Sequence, residues 1–209
     1  MNTPTLDRWV RLWRQVAAAG DPQLIYQELV SRYSEPQRHY HNLAHVAECI
    51  AEFDSARQLA QDPTAVEVAI WFHDAVYDTH AADNEERSAK LAKERIAQAC
   101  GGVGLSESVA ALVLATKTHD PALNPDAPLL VDVDLSILGK PKDRFGEYEA
   151  QIRREYEWVP VETFKVKRAE ILERFLARDR IYATDHFFDK YEQPARTNLR
   201  NSIRILTRS

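Results

Sequence analysis

The sequence predicts an all-α protein, a single helical bundle of about nine helices, and three observations carry that expectation. Only 6 glycines stand against 27 alanines in 209 residues. Alanine gives up no side-chain entropy in a helix, whereas glycine gives up the most backbone entropy. Apolar residues recur at helical spacing along almost the whole chain, and Asp-Pro or Asn steps stand where helices would begin. With 44% apolar and 28% charged residues, the composition is that of a globular chain rather than a disordered one.

The elements follow in order. Leu6, Trp9, Val10, Trp13, Val16 and Ala17 share one helical face. Asp21-Pro22 supplies an N-cap and a first helical residue for a helix to about Tyr33, which Ser34-Glu35-Pro36 breaks. Asn42 caps a long helix to about Ala60. Asp62-Pro63 repeats the start signal and opens TAVEVAIWFHDAVYD, where Ala65–Tyr77 is apolar nearly all round and reads as a buried central helix. NEERSAKLAKERIAQAC is the next helix, ending at Gly101-Gly102. Ser106 starts ESVAALVLATKTH, and Pro121 to Pro128 is a loop.

LLVDVDLSILG fits either a strand or a helix. One such segment cannot build a sheet, so it is assigned as helix. Two helices at 142–158 and 162–178 are split by Pro160, and a last one covers about 193–207. No internal repeat or linker divides the chain, so one domain over 1–209 is expected.

Several functions are disfavoured. No apolar run approaches the ~18 residues of a membrane span, and the N-terminal MNTPTLDRWVRLWRQ lacks a signal-peptide core. Cys49 and Cys100 sit far apart in helix-like segments, so no disulfide framework is indicated and a cytoplasmic location is expected. A net charge of -5 disfavours general nucleic-acid binding. The charge is uneven: residues 1–139 carry a balance of -9 and residues 140–209 one of +4. Solvated helix faces explain that split. A sharper reading has the basic part holding an anionic substrate near the acidic part. Trp9, Trp13, Trp71 and Trp158 read as core or interface residues.

The chemistry-bearing residues are histidines and aspartates. His73-Asp74 lies inside the apolar central segment, where an ionised carboxylate is costly unless paired or bound to a metal. Alone, the dipeptide is equally a hydrogen-bonded pair. RHYHNLAHV adds His41 and His45, four apart and close to one helical face. Asp134 stands sixty residues after Asp74, again among apolar residues. Two imidazoles and two carboxylates suit a divalent cation with nitrogen and oxygen ligands. Neither cysteine has a partner at ligand spacing, so thiolate chemistry is not expected.

The order His45 … His73-Asp74 … Asp134 resembles the metal-binding pattern of the HD-domain phosphohydrolase superfamily. The closer likeness is to a bacterial branch of predicted metal-dependent HD phosphohydrolases. RHYHNLAHV, IWFHDAVYD, DNEERSA, ATKTH, DVDLSILG, IRREY and ARTNL carry it from residue 38 to 199. The resemblance implies an all-helical fold with a metal-site core at about 38–139 and the C-terminal helices 140–209 packed on it. It implies His45, His73, Asp74 and Asp134 as ligands of a divalent ion, with Mn, Mg, Zn, Fe, Ni and Co undistinguished. The implied activity is hydrolysis of a small phosphorylated metabolite, a nucleotide above all. Apart from the resemblance, a homo-oligomer is one arrangement open to the chain. YHNLAH is similar to the YHN-x-x-H element of cyclic-nucleotide phosphodiesterases, which implies His41 as general acid beside Asp74.

Secondary candidates are His119, Asp78 and Glu85 for a second metal or the substrate. Arg38, Lys117, Arg153, Arg196 and Arg200 are candidates for phosphate. Asp132 rivals Asp134, but two residues apart on a helix they point in different directions; the resemblance selects Asp134. One alternative function is a non-catalytic metal- and nucleotide-binding sensor or scaffold. A di-iron oxygenase, which in this superfamily carries two extra histidine ligands between the His-Asp pair and the last Asp, is disfavoured, because only His80 and His119 lie in that interval and His80 is just six residues past Asp74.

Overall fold

The computed structural model describes residues 4–16, 19–99, 102–118 and 124–208. Among these the chain forms ten α-helices and no strand. They are α1 (Leu6–Val16), α2 (Pro22–Tyr33), α3 (Leu43–Ala56), α4 (Pro63–Phe72), α5 (Asn84–Gln98), α6 (Val103–Thr118), α7 (Ala127–Asp134), α8 (Lys142–Glu155), α9 (Val161–Leu176) and α10 (Asp185–Leu206). The all-α expectation holds, with ten helices for about nine. Cys100, Gly101, His119 and residues 121–123 of the expected loop lie outside the described residues.

The helix starts follow local chemistry. The Asp21 carboxylate accepts from the Gln23 N–H at 2.8 Å, and the Asn42 side chain accepts from Ala44 N–H at 2.8 Å. Asp62 accepts from Thr64 and Ala65 N–H at 3.1 and 2.9 Å. Each satisfies donors that a first helical turn leaves open. Several boundaries differ from expectation: α3 ends at Ala56 rather than about Ala60, α7 begins at Ala127 inside the expected loop, and α8 ends at Glu155 rather than 158. α4 ends at Phe72 rather than near Tyr77, α6 begins at Val103 rather than Ser106, and α10 begins at Asp185 rather than 193. Thr184 caps α10, and buried Phe187 and Tyr191 give its early turns a core face. Pro194 sits inside that helix, where it removes one backbone donor without ending it. The ambiguous LLVDVDLSILG is α7 followed by a 3-10 turn at Leu135–Gly139.

The contacts divide the chain into two compact units, Met1–Val133 and Asp134–Ser209. In the first, α4 is the centre: it touches α1, α3, α5 and α6, and every residue from Ala65 to Phe72 is buried. Trp9 stacks on Trp13 at 4.9 Å and meets Trp71 edge-on at 5.2 Å, which seats α1 on α4. Trp158, by contrast, is half exposed.

Buried Glu67 on α4 would be costly unpaired. Arg8 Nε donates to it at 2.6 Å, Arg57 reaches its other oxygen, and Arg8 also forks onto Asp54 at 2.7 Å. Replacing Arg8 with Ala removes three of these bonds and leaves Glu67 with Arg57 alone. Arg8→Ala should lower unfolding free energy by about 2–3 kcal/mol, read from the urea midpoint at constant m-value.

In the second unit the 3-10 turn lies against α8 and α10, and α9 against α10. Tyr182 Oη donates to the Leu135 carbonyl at 3.0 Å, and the Asn198 amide donates to Leu138 and Lys140 carbonyls at 2.9 Å each. Gly139 is required by close approach. A Cβ there would stand 2.5 Å from Cβ of Tyr191.

Candidate metal centre

The first unit brings together the end of α4 and the start of α3. The Asn42 cap sets the first turn of α3, which carries His45 and, four residues on, Cys49 along one face. His73 is the C-cap of α4, its N–H still bonded to the Ala69 carbonyl at 2.8 Å. The chain then turns, so Asp74 lies past the helix rather than within it.

Arg38 holds this turn in place. Its guanidinium donates to the carbonyls of His41 at 3.1 Å, Asp74 at 2.6 Å and Ala75 at 3.2 Å. The same group sits over the rings of Tyr33 and Tyr77, at 5.1 and 5.4 Å. One buried cation therefore ties the approach to α3 to the exit of α4.

His73 Nδ1 lies 2.9 Å from the Ile70 carbonyl oxygen, which can only accept, so Nδ1 carries the proton. In the neutral ring Nε2 is then a lone pair, a tautomer fixed by an outer partner in the way metal-binding imidazoles are. His45 Nε2 is 3.1 Å from His73 Nε2. Asp74 Oδ2 is 3.0 Å from His73 Nε2 and 3.6 Å from His45 Nε2. Ligands held about 2.0–2.2 Å from one ion stand about 3–3.6 Å apart at octahedral or tetrahedral angles. The three donor atoms match that spacing.

The charge arrangement agrees. Burial opposes ionisation of Asp74, but the positive charge available on His73, His41 and His45 outweighs it and holds the carboxyl well below its usual range. A bound cation would take over that compensation.

Cys49 was missed. Its Sγ lies 3.7 Å from each nitrogen of His45, and His45, Cys49 and His73 each offer a donor atom within 4.8 Å of the others. All three residues are buried, and the group can hold a metal ion. The signal was present as the four-residue spacing from His45, a spacing that places two helical side chains together. The expectation that no cysteine has a partner at ligand spacing is therefore corrected.

His41 is half-buried beside this group. Its ring stacks on Tyr77 at 4.2 Å and stands 5.9 Å, centre to centre, from that of His45. Asp134 is the half-buried last residue of α7, and Asp132 on the same helix is fully buried.

The remaining candidates have other engagements. Asp78 is exposed and caps a turn, accepting from the His80 N–H at 2.9 Å. Glu85 lies in the first turn of α5. Lys117 bonds the Ala82 carbonyl and pairs with Glu86. Arg153 donates to the Tyr156 and Val159 carbonyls. Arg196 pairs with Glu192 and donates to the carbonyls of Leu176, Arg178 and Asp179. Arg200 is exposed on α10.

Arg38, too, has a structural role. Arg38→Ala would leave three carbonyls around the donor group without their charged partner. The variant should lose about 2–3 kcal/mol of stability in urea unfolding. It should also bind added divalent ion about 10–100-fold more weakly by equilibrium dialysis, the cost usual for an outer positioning residue.

No helix among the described residues is long and apolar enough to cross a membrane. No protein-family model, curated protein or solved structure matches the chain.

Proposed function

We propose that the chain is a metal-dependent phosphohydrolase acting on a small phosphorylated metabolite of the nucleotide class. The observation that supports this most is the convergence of His45 Nε2, His73 Nε2 and Asp74 Oδ2 at ligand spacing in a buried site. The reading takes these three residues as ligands, with Asp134 as the fourth on the strength of the HD-type pattern. The bound ion would polarise the phosphoryl oxygen and lower the pKa of water from 15.7 towards ~7. Asp74 orients the attacking water and accepts a hydrogen bond from it. The Ile70 carbonyl keeps His73 in the tautomer that faces inward. His41, next to the donor group but outside it, supplies a proton to the leaving oxygen.

The test is metal analysis of the purified chain after exposure to Mn, Mg, Zn, Fe, Ni and Co salts, followed by a phosphate-release screen over nucleotides. The expected result is one retained ion type per chain and release that stops on chelation and returns with metal. Metal and nucleotide binding without release would assign the chain to sensing. Failure to retain any of the six ions would end the reading.

A further inference from the structure

The second unit contains a cavity of about 500 Å³ between α8, α9 and α10. Its volume falls in the range of small-molecule sites, about 300–1,000 Å³. Phe145, Val161, Phe164, Ile205 and Leu206 supply apolar lining. Val161 and Ile205 remain 52% and 68% exposed, so this apolar surface is open to solvent.

The polar lining is biased to one sign. Glu149 is the carboxylate of the lining, and both its oxygens are engaged. Arg168 donates to Oε1 at 3.2 Å through Nε, and the Ser202 hydroxyl donates to Oε2 at 2.7 Å. Lys142, Arg153 and Lys165 line the same cavity. The Arg153 guanidinium lies 4.7 Å above the centre of the Phe164 ring. Its bonds to the neutral carbonyls of Tyr156 and Val159 fix its charge without cancelling it. Lys165 pairs with the exposed Glu162, a contact that solvent weakens.

We propose that this cavity binds a small amphipathic organic anion, with an unbranched acyl chain against the aromatic and aliphatic lining and a carboxylate beside Arg153 and Lys165, the latter next in sequence to Phe164, whose ring Arg153 covers. Apolar walls with a few placed charges are the usual make-up of a site for such a ligand. The cationic edge selects the head group, and the two phenylalanines select the chain. The site lies wholly in the second unit and does not depend on the proposed hydrolase activity.

Titration calorimetry of the full chain tests the proposal, with decanoate as ligand below its aggregation concentration. One decanoate should bind per chain. Octanoate, two methylenes shorter, should bind about tenfold more weakly. Decanol and decyltrimethylammonium should bind at least about fivefold more weakly than decanoate. Ile205→Asp should abolish binding, and Lys165→Glu, whose ion pair is with the exposed Glu162, should weaken it about fivefold or more with little change in melting temperature. Equal binding of the three head groups, no binding of decanoate, or full affinity in Lys165→Glu would overturn the proposal. So would a concentration-dependent dimer that Ile205→Asp dissociates, because a second copy would then occupy the face.

Discussion

Asp74→Ala should empty the centre of metal and abolish phosphate release while leaving the helices intact. Asp74 lies past the end of α4, so the substitution falls outside the helix. What anchors the turn is its main chain: Arg38 donates to the Asp74 and Ala75 carbonyls, and both bonds survive loss of the carboxylate. The variant keeps His45 and His73 but loses the negative charge that makes two neutral imidazoles a competent cation site. Three measurements check this: metal content after gel filtration, far-ultraviolet circular dichroism, and phosphate release with saturating metal. Wild-type metal content in Asp74→Ala would remove Asp74 from the ligand set. A lost helical signal would show that the carboxylate serves the fold, and His73→Gln would then carry the test of metal binding.

His41→Ala should leave metal content unchanged and slow turnover about 10²–10⁴-fold, the usual contribution of one proton donor. The geometry separates this residue from the ligands. Its ring is stacked on Tyr77 and stands 5.9 Å, centre to centre, from that of His45. A proton donor matters most where the leaving oxygen is basic. Nucleotide esters should therefore suffer the full loss, and an activated aryl phosphate should be hydrolysed almost normally. Equal loss on both substrates would instead give His41 a packing or metal-supporting role.

The two predictions rest on residues that the sequence exposed unequally. His41, His45, His73 and Asp74 could be singled out because imidazoles and a carboxylate in apolar surroundings need a partner. Cys49 carries no such signal by itself, because a buried thiol needs no partner; His45, one helical turn earlier, makes it a donor. Arg38, Arg153 and Arg196 are phosphate candidates in the sequence by charge alone. Their donors go to backbone carbonyls, and a sequence carries no trace of which carbonyls will lack a partner.

The starts of α2, α3 and α4 were determined by the sequence itself. Asp21, Asn42 and Asp62 act through bonds to N–H groups two or three residues later, so the information is entirely local. The buried course of α4 was likewise written in its sequence, apolar from Ala65 to Phe72 except for Glu67. Its end was not, because Ala75, Val76 and Tyr77 resume the apolar sequence beyond His73-Asp74 and neither a glycine nor a proline marks the stop. The chain turns at His73-Asp74, and the turn is held by Arg38, 36 residues earlier, which donates to the Asp74 carbonyl. That contact exists only once α3 and α4 have packed together. It is also what sets Asp74 beside two imidazoles, so the tertiary structure decided the site's geometry while the sequence determined its ingredients.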